Sequence, residues 1–243
     1  MSYILIVGAK SDIAKAVARE YAKGGYNLYL AGRDINELEA FAKDINIRTN
    51  KDVKLIELDI LKFDTHEDIY NSLKEKPLGI ISAVGYLGNQ KLAQKDFNEA
   101  KKIIDTNYTG VVSFLNVVAN DFEKGRNGFI VGISSVAGDR GRKSNYIYGS
   151  AKAALTTYLS GLRNKLYEAN VNVLTVKPGF VDTKMTKGMN LPEKLTAKPQ
   201  EVAKDIFNAQ QKGKSVLYTK WIWKYIMTII KAIPEWQFKK MSI

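Results

Sequence analysis

The chain has 243 residues, 45% of them hydrophobic, which is enough to bury the core of one large α/β domain. It holds no cysteine and one histidine, so disulfides and thiolate metal sites are excluded and no metal is expected. Unless His66 carries it alone, Ser-His-Asp or Cys-His chemistry is excluded too, and any general acid or base must be Tyr, Lys, Asp or Glu. The formal charge of +12 points to an anionic partner: nucleic acid, a membrane surface or a phosphorylated ligand.

The start, MSYILIVGAK, lacks a basic leader, and its apolar run is too short for a signal peptide or a membrane span, so a cytoplasmic protein is expected. The run predicts a first strand over 3–7, and the helical pattern over 12–23 ends at the Gly24-Gly25 pair. Between them lies Gly8-Ala9-Lys10-Ser11-Asp12-Ile13-Ala14. Small residues there let a backbone approach a pyrophosphate at a helix N-terminus. Only Gly8 is a glycine, and a plain strand-to-helix turn is the competing reading.

A second strand, 27–31, runs into Gly32-Arg33, where an NAD-binding chain would carry an acid for the ribose hydroxyls. Arg33, with Lys10 in reach, suits a 2′-phosphate instead, which favours NADP(H). The rival is an Arg33 engaged by its neighbour Asp34. A helix over 36–46 and strands over 53–57 and 79–83 follow, with His66 between them in KFDTHED, read as a solvated loop or helix-start residue.

Further along, one long helix is expected over 96–122, a strand over 129–133 and a helix over 148–168. Strands over 172–176 and 216–218 flank a helix over 199–212. Strands alternating with helices, with no linker, predict a Rossmann-type doubly wound, mostly parallel sheet with helices on both faces, over 1–219. The weakly periodic 178–199 reads as a lid or substrate loop.

Tyr148 and Lys152 are four apart and share a helix face. A free tyrosine titrates near pH 10, and a nearby ammonium favours the phenolate. Tyr146 has Ser150 at that spacing and no such partner. Ser134-Ser135 closes the strand before them and offers a hydroxyl to a substrate oxygen. A Tyr-x-x-x-Lys by itself is common by chance.

Taken together and in order, these pieces resemble the short-chain dehydrogenase/reductase family over about residues 3–219. The matching pieces are the turn from Gly8 to Ala14, Asp59, and Ser82-Ala83-Val84-Gly85 in place of the family's Asn-Asn-Ala-Gly. They continue with Asn107-Tyr108-Thr109-Gly110, Ser134 to Gly138, Tyr148 to Lys152, and Pro178-Gly179-Phe180-Val181-Asp182-Thr183. The resemblance implies an NADP(H)-dependent enzyme acting on a C=O or CH-OH group, with a catalytic set of Asn107, Ser135, Tyr148 and Lys152. Ser135 would polarise the carbonyl, Tyr148 would move the proton, Lys152 would hold the ribose and tune Tyr148, and Asn107 would anchor a relay water. Cofactor contacts are implied at Gly8, Ser11, Asp12, Ile13, Asp59, Ile60, Ala83, Val84 and Gly85. They recur at Pro178, Gly179, Val181 and Thr183. Asp12 for a glycine, and Ser82-Ala83 for paired asparagines, depart from the family pattern.

Arg140, Arg142 and Lys143 lie between Ser135 and Tyr148 and read as an anchor for an anionic substrate group, or as a solvated loop. The tail, 220–243, is aromatic and basic, broken by Lys224 and Lys231. It suits an anionic membrane surface, with a packed lid or an oligomer interface as alternatives. Within the family the chain is most similar to the decaprenylphosphoryl 2-keto-pentose reductases of bacterial cell-wall synthesis. That likeness implies a keto sugar on a polyprenyl phosphate, reduced at the inner face of the membrane. The alternatives are a reductase of a soluble ketone or acyl compound whose tail serves a homo-oligomer, and a non-catalytic NADP sensor. No nucleic-acid module is recognisable.

Overall fold

Ile4, Leu5 and Ile6 present an apolar side chain to each face of their strand, so β1 (Tyr3–Val7) belongs inside a sheet covered on both sides. The computed structural model describes residues 2–241 and places β1 in the sheet's interior, beside the central strand. Seven strands, β1, β2 (Asn27–Gly32), β3 (Val53–Glu57), β4 (Gly79–Ser82), β5 (Phe129–Ile133), β6 (Asn172–Pro178) and β9 (Val216–Thr219), pair in the order β3-β2-β1-β4-β5-β6-β9. Every pairing is parallel. The order reverses between β1 and β4, which opens a crevice at the carboxyl ends of these strands.

Helices fill both faces. On one side α1 (Asp12–Lys23) and α8 (Pro199–Gln211) pack together, α1 offering Ala14, Ala16, Val17, Ala18 and Tyr21 to the core. On the other, α6 (Gly110–Gly125) and α7 (Tyr146–Lys165) bury Phe114, Leu115, Leu155 and Leu159 beneath β4 and β5. Gly110 lets α6 approach closely, since a Cβ there would lie 2.2 Å from the Ile60 carbonyl oxygen.

The structure corrects several expected boundaries. The helix read over 96–122 is α5 (Phe97–Ile104), a π-helical turn (Asp105–Thr109) and then α6. Hydrophobic periodicity runs through all three and conceals the widened turn. The 36–46 helix is a 3-10 turn (Ile35–Leu38) followed by α2 (Glu39–Thr49), while α7 begins at Tyr146. Two short helices lie outside the expected ones: α3 (His66–Asn71), which begins at His66 as one reading of that residue had it, and α4 (Gln90–Ala93). The 178–199 stretch contains a two-stranded ladder, β7 (Phe180–Val181) against β8 (Thr196–Ala197).

His66 is also corrected. It is 1% exposed, its Nδ1 lies 2.9 Å from Ser113 Oγ, and its ring meets Phe114 edge-on. Burial lowers its pKa from the ordinary histidine value. The tail's described part folds as α9 (Ile222–Ala232) and α10 (Glu235–Phe238). Trp223 and Met227 of α9 are buried against Val136, Phe180 and Leu195, and Trp223 Nε1 donates to the Leu195 carbonyl at 3.1 Å.

Candidate active site

The turn after β1 shows how the chain makes room for a phosphate. Gly8 has φ +78, and a Cβ on it would meet the Ala83 carbonyl carbon at 2.9 Å, so only glycine fits there. Ser11 caps α1 by accepting from Ala14 N at 3.1 Å. A cavity of 340 Å³ begins here and is lined by Gly8, Ser11, Arg33, Asp59, Ile60 and Val84. Lys102 and Thr106 line it as well, and no motif singled them out.

Arg33 makes no ion pair with Asp34 among the described residues. Asp34 instead takes Lys10 Nζ at 3.1 Å, and Glu37 takes it at 3.0 Å. The rival reading of Arg33 therefore fails, and Lys10 is the cation already neutralised. Glu57 orders this turn by accepting from the backbone of Asp34 at 3.1 Å and of Ile35 at 3.3 Å. Asp12, standing where a glycine was expected, accepts from Lys184 N at 2.8 Å and ties the segment after β7 to the start of α1.

A second cavity, of 380 Å³, continues from the first and shares Lys10, Ser11, Ala83, Val84 and Gly85 with it. Ser135, Tyr148 and Lys152 line its inner end, and Asp12, Ile13, Pro178, Gly179, Val181 and Thr183 line its other walls. Met185 and Met189 close over it from the loop. Ser134 and Ser135 have separate tasks. Ser134 Oγ donates to the Lys152 carbonyl at 2.9 Å and lies 2.7 Å from Thr156 Oγ1, holding α7 to the sheet. Ser135 Oγ accepts from Ala137 N at 3.1 Å and lines the cavity with Tyr148.

Electrostatics here differ from the expectation drawn from spacing. Burial pushes Tyr148 up to about 12, and only the influence of the Ser135 hydroxyl opposes it. Lys152 Nζ is turned to the Ile133 carbonyl at 3.1 Å and the Val84 carbonyl at 3.2 Å, 5.8 Å from the Tyr148 ring centre. Burial brings Lys152 down to about 7. At neutral pH Tyr148 therefore keeps its proton as an acid, while Lys152 sits near its own midpoint.

Asn107 is buried in the π-helical turn and does not line either cavity. Its Nδ2 donates to the carbonyls of Tyr86 at 2.7 Å and Ile103 at 2.8 Å, while its Oδ1 accepts from Tyr86 N at 3.1 Å. The side chain thus braces the loop that follows Gly85.

Of the three cations before Tyr148, only Arg142 lines the cavity. Arg140 is corrected. Its guanidinium donates to the carbonyls of Ile230 and Ile233 at 2.6 Å each, pairs with Glu235 at 2.8 Å and lies over the Phe238 ring. Lys143 is exposed and outside both cavities. Asp139 anchors the same loop inward, paired with Lys177 and accepting from Tyr218 Oη at 2.8 Å.

The residues fit an NAD(P)-type dinucleotide. Gly8 leaves a cradle a Cβ would fill, Gly32 leaves open space, with Ala9 N at 3.8 Å the nearest atom to a Cβ there, and the joined cavities run from Arg33 to Tyr148.

A parallel doubly wound sheet with a Ser-Tyr-Lys constellation at its carboxyl edge defines an oxidoreductase site, and comparison with known proteins agrees. The short chain dehydrogenase family model matches residues 2–194. An uncharacterized oxidoreductase of Mycobacterium tuberculosis is 33% identical over 241 residues, covering 98% of this chain and 96% of its own. One from Myxococcus xanthus is 31% identical over 197 residues, covering 79% and 78%. In fold, a short-chain dehydrogenase from Sphingobium yanoikuyae in complex with NADPH has a TM-score of 0.83 at 21% identity, covering 97% of both chains. A bulky-bulky ketone specific alcohol dehydrogenase from Comamonas testosteroni has 0.81 at 21% identity, covering 97% of this chain and 96% of its own. The chain belongs to the short-chain dehydrogenase family. It is an enzyme of the kind that acts between CH-OH and C=O groups.

Proposed function

We propose that this protein reduces a ketone to an alcohol with NADPH. The observation that carries the reading is that Ser135, Tyr148 and Lys152 line one cavity together, continuous with the one that reaches Arg33. When bound, the cofactor supplies the hydride. Ser135 orients the carbonyl oxygen, and Tyr148, protonated at neutral pH, gives that oxygen its proton. Lys152, near its midpoint, would hold the cofactor ribose and is the group that would return a proton to Tyr148. Arg33, unpaired with Asp34, supports NADPH over NADH.

The substrate class proposed is a keto sugar carried on a polyprenyl phosphate in envelope polysaccharide synthesis. Two features support it. Arg142 brings a cation into the cavity. The outer face of α9 and α10 exposes Trp221 (72%), Tyr225 (60%), Ile229 (67%) and Trp236 (65%) among Lys224, Lys231, Lys239 and Lys240. Aromatic side chains ringed by lysines suit the headgroup level of an anionic bilayer. No helix among the described residues is long and apolar enough to cross a membrane.

Tyr148→Phe separates chemistry from binding. NADPH binding should persist while NADPH oxidation against polyprenyl-phosphoryl keto sugars or simple ketones falls about 10²-fold or more. Undiminished turnover would overturn the assignment of Tyr148. For the tail, the triple change Trp221→Ser, Tyr225→Ser, Ile229→Ser keeps the buried Trp223 and Met227. It should abolish co-sedimentation with phosphatidylglycerol vesicles, and unchanged sedimentation would refute the membrane face.

A further inference from the structure

Asp12 is the first residue of α1, beside the cradle that Gly8 leaves open, and its Oδ2 accepts from Lys184 N at 2.8 Å, 172 residues along the chain. Both residues line the second cavity, so the bond joins its wall at α1 to the loop after β7. A backbone N–H donating to a carboxylate makes a charge-assisted bond, stronger than a neutral one.

The segment that Asp12 grips is closed on itself. Lys184–Thr186 form a 3-10 turn in which Thr183 N donates to Thr186 Oγ1 at 3.1 Å and Thr186 N donates to the Thr183 carbonyl at 3.1 Å. Thr186 Oγ1 also donates to the Val181 carbonyl at 2.6 Å, and Met189 N to the Thr186 carbonyl at 3.1 Å. Fixing Lys184 N therefore fixes the turn as a unit. Its next residue, Met185, reaches the segment after β4: a Cβ on Gly85 would lie 3.6 Å from Met185 Cε and 3.8 Å from Lys152 Nζ. The turn thus runs from the start of α1 to Gly85. Ser11, Val84 and Gly85 are shared by both cavities, so this is the junction that a dinucleotide reaching from Arg33 to Tyr148 must pass.

We propose that Asp12 is a positioning residue that straps the Lys184–Thr186 turn across this junction and so slows the release of bound NADP(H). The family pattern has a glycine at this place, which offers a phosphate only its backbone. A carboxylate by itself repels a pyrophosphate at α1, and the grip on the loop offsets that cost. The departure at Asp12 is therefore functional: it exchanges an open phosphate turn for a fastened loop. This rests on NADPH as the cofactor proposed above and deepens that reading.

The test compares Asp12→Ala with Asp12→Asn. Both remove the charge, but only asparagine keeps an acceptor for Lys184 N. NADPH release, followed by nucleotide fluorescence on displacement with excess NADP+, should be about 3–10-fold faster from Asp12→Ala than from Asp12→Asn, the value of one neutral hydrogen bond. Without cofactor, trypsin should cut after Lys184 and Lys187 faster in Asp12→Ala, as read from fragment masses. Charge repulsion is relieved alike in both variants, so equal release rates overturn this proposal alone. Faster cleavage with equal release overturns it as well, because the turn is then anchored without holding the cofactor. A wild type that binds no NADPH overturns the cofactor reading and this proposal with it.

Discussion

Arg140 Nη1 donates to the Ile230 carbonyl at 2.6 Å, across 90 residues of sequence, and so joins the loop before Tyr148 to the end of the C-terminal helix. The guanidinium acts as a C-terminal cap for α9, supplying donors to carbonyls that the helix leaves open.

Replacing that cap tests how far the tail supports the site. Arg140→Ala leaves the Ile230 and Ile233 carbonyls without their donor, at a cost of about 1–3 kcal/mol. In a domain of this size that lowers Tm by roughly 2–12 °C. Glu235 is 77% exposed, so Glu235→Gln should cost under about 1 kcal/mol. Thermal unfolding of both variants, with limited proteolysis of the tail, checks the contrast.

Arg33 and Lys10 should respond differently to the same change. Arg33→Ala should weaken NADPH about 10–100-fold and leave NADH nearly unaffected, through loss of charge-assisted bonds to a 2′-phosphate. Lys10→Ala should do less, because Asp34 and Glu37 already hold that ammonium. Titration of both cofactors into both variants decides it; an equal loss for NADPH and NADH in Arg33→Ala refutes the role.

The pH dependence of stability should carry the mark of Lys152. Its pKa is about 7 in the folded protein against 10.5 when exposed. Between those values the unfolded chain binds the extra proton, so this group makes stability rise with pH from about 7 to 10.5. Lys152→Met removes that contribution. The stability of the wild type relative to Lys152→Met should therefore improve from pH 6 to pH 9, as read by urea unfolding at each pH. The carbonyls of Ile133 and Val84 lose their donor equally at both pH values, so a flat difference would contradict the shifted lysine.

Gly179 meets α9 directly. A Cβ there would lie 1.9 Å from Trp223 Nε1, and that indole is packed against Phe180, Val136 and Met227. Gly179→Ala should cost about 1–3 kcal/mol by overpacking. Trp221 and Trp236 are already exposed, so a red shift in tryptophan emission would report Trp223 leaving its site.

Much of the architecture was legible from the residues. Runs such as Tyr3–Val7 and Phe129–Ile133 are apolar on both faces and admit only the interior of a parallel sheet. Ser11 before Asp12–Lys23 marks where α1 starts. The spacing of Tyr148 and Lys152 placed them on one helical face, because that depends on local geometry alone. The π-helical turn at Asp105–Thr109 was hidden, since its apolar residues keep helical spacing through it. His66 read as solvated because its sequence neighbours are polar, whereas the groups that cover it, Ser113 and Phe114, lie on α6.

Composition, periodicity and motif order were enough, then, to determine the sheet and the family, because these rest on short-range spacing. Which of three neighbouring cations enters the cavity, and which side of the tail is buried, were decided only in the tertiary structure. Arg140 is taken up by the end of α9, and Trp223 and Met227 by the wall around Phe180. Each outcome depends on a partner far along the chain, and a side chain's polarity does not reveal which distant group will satisfy it.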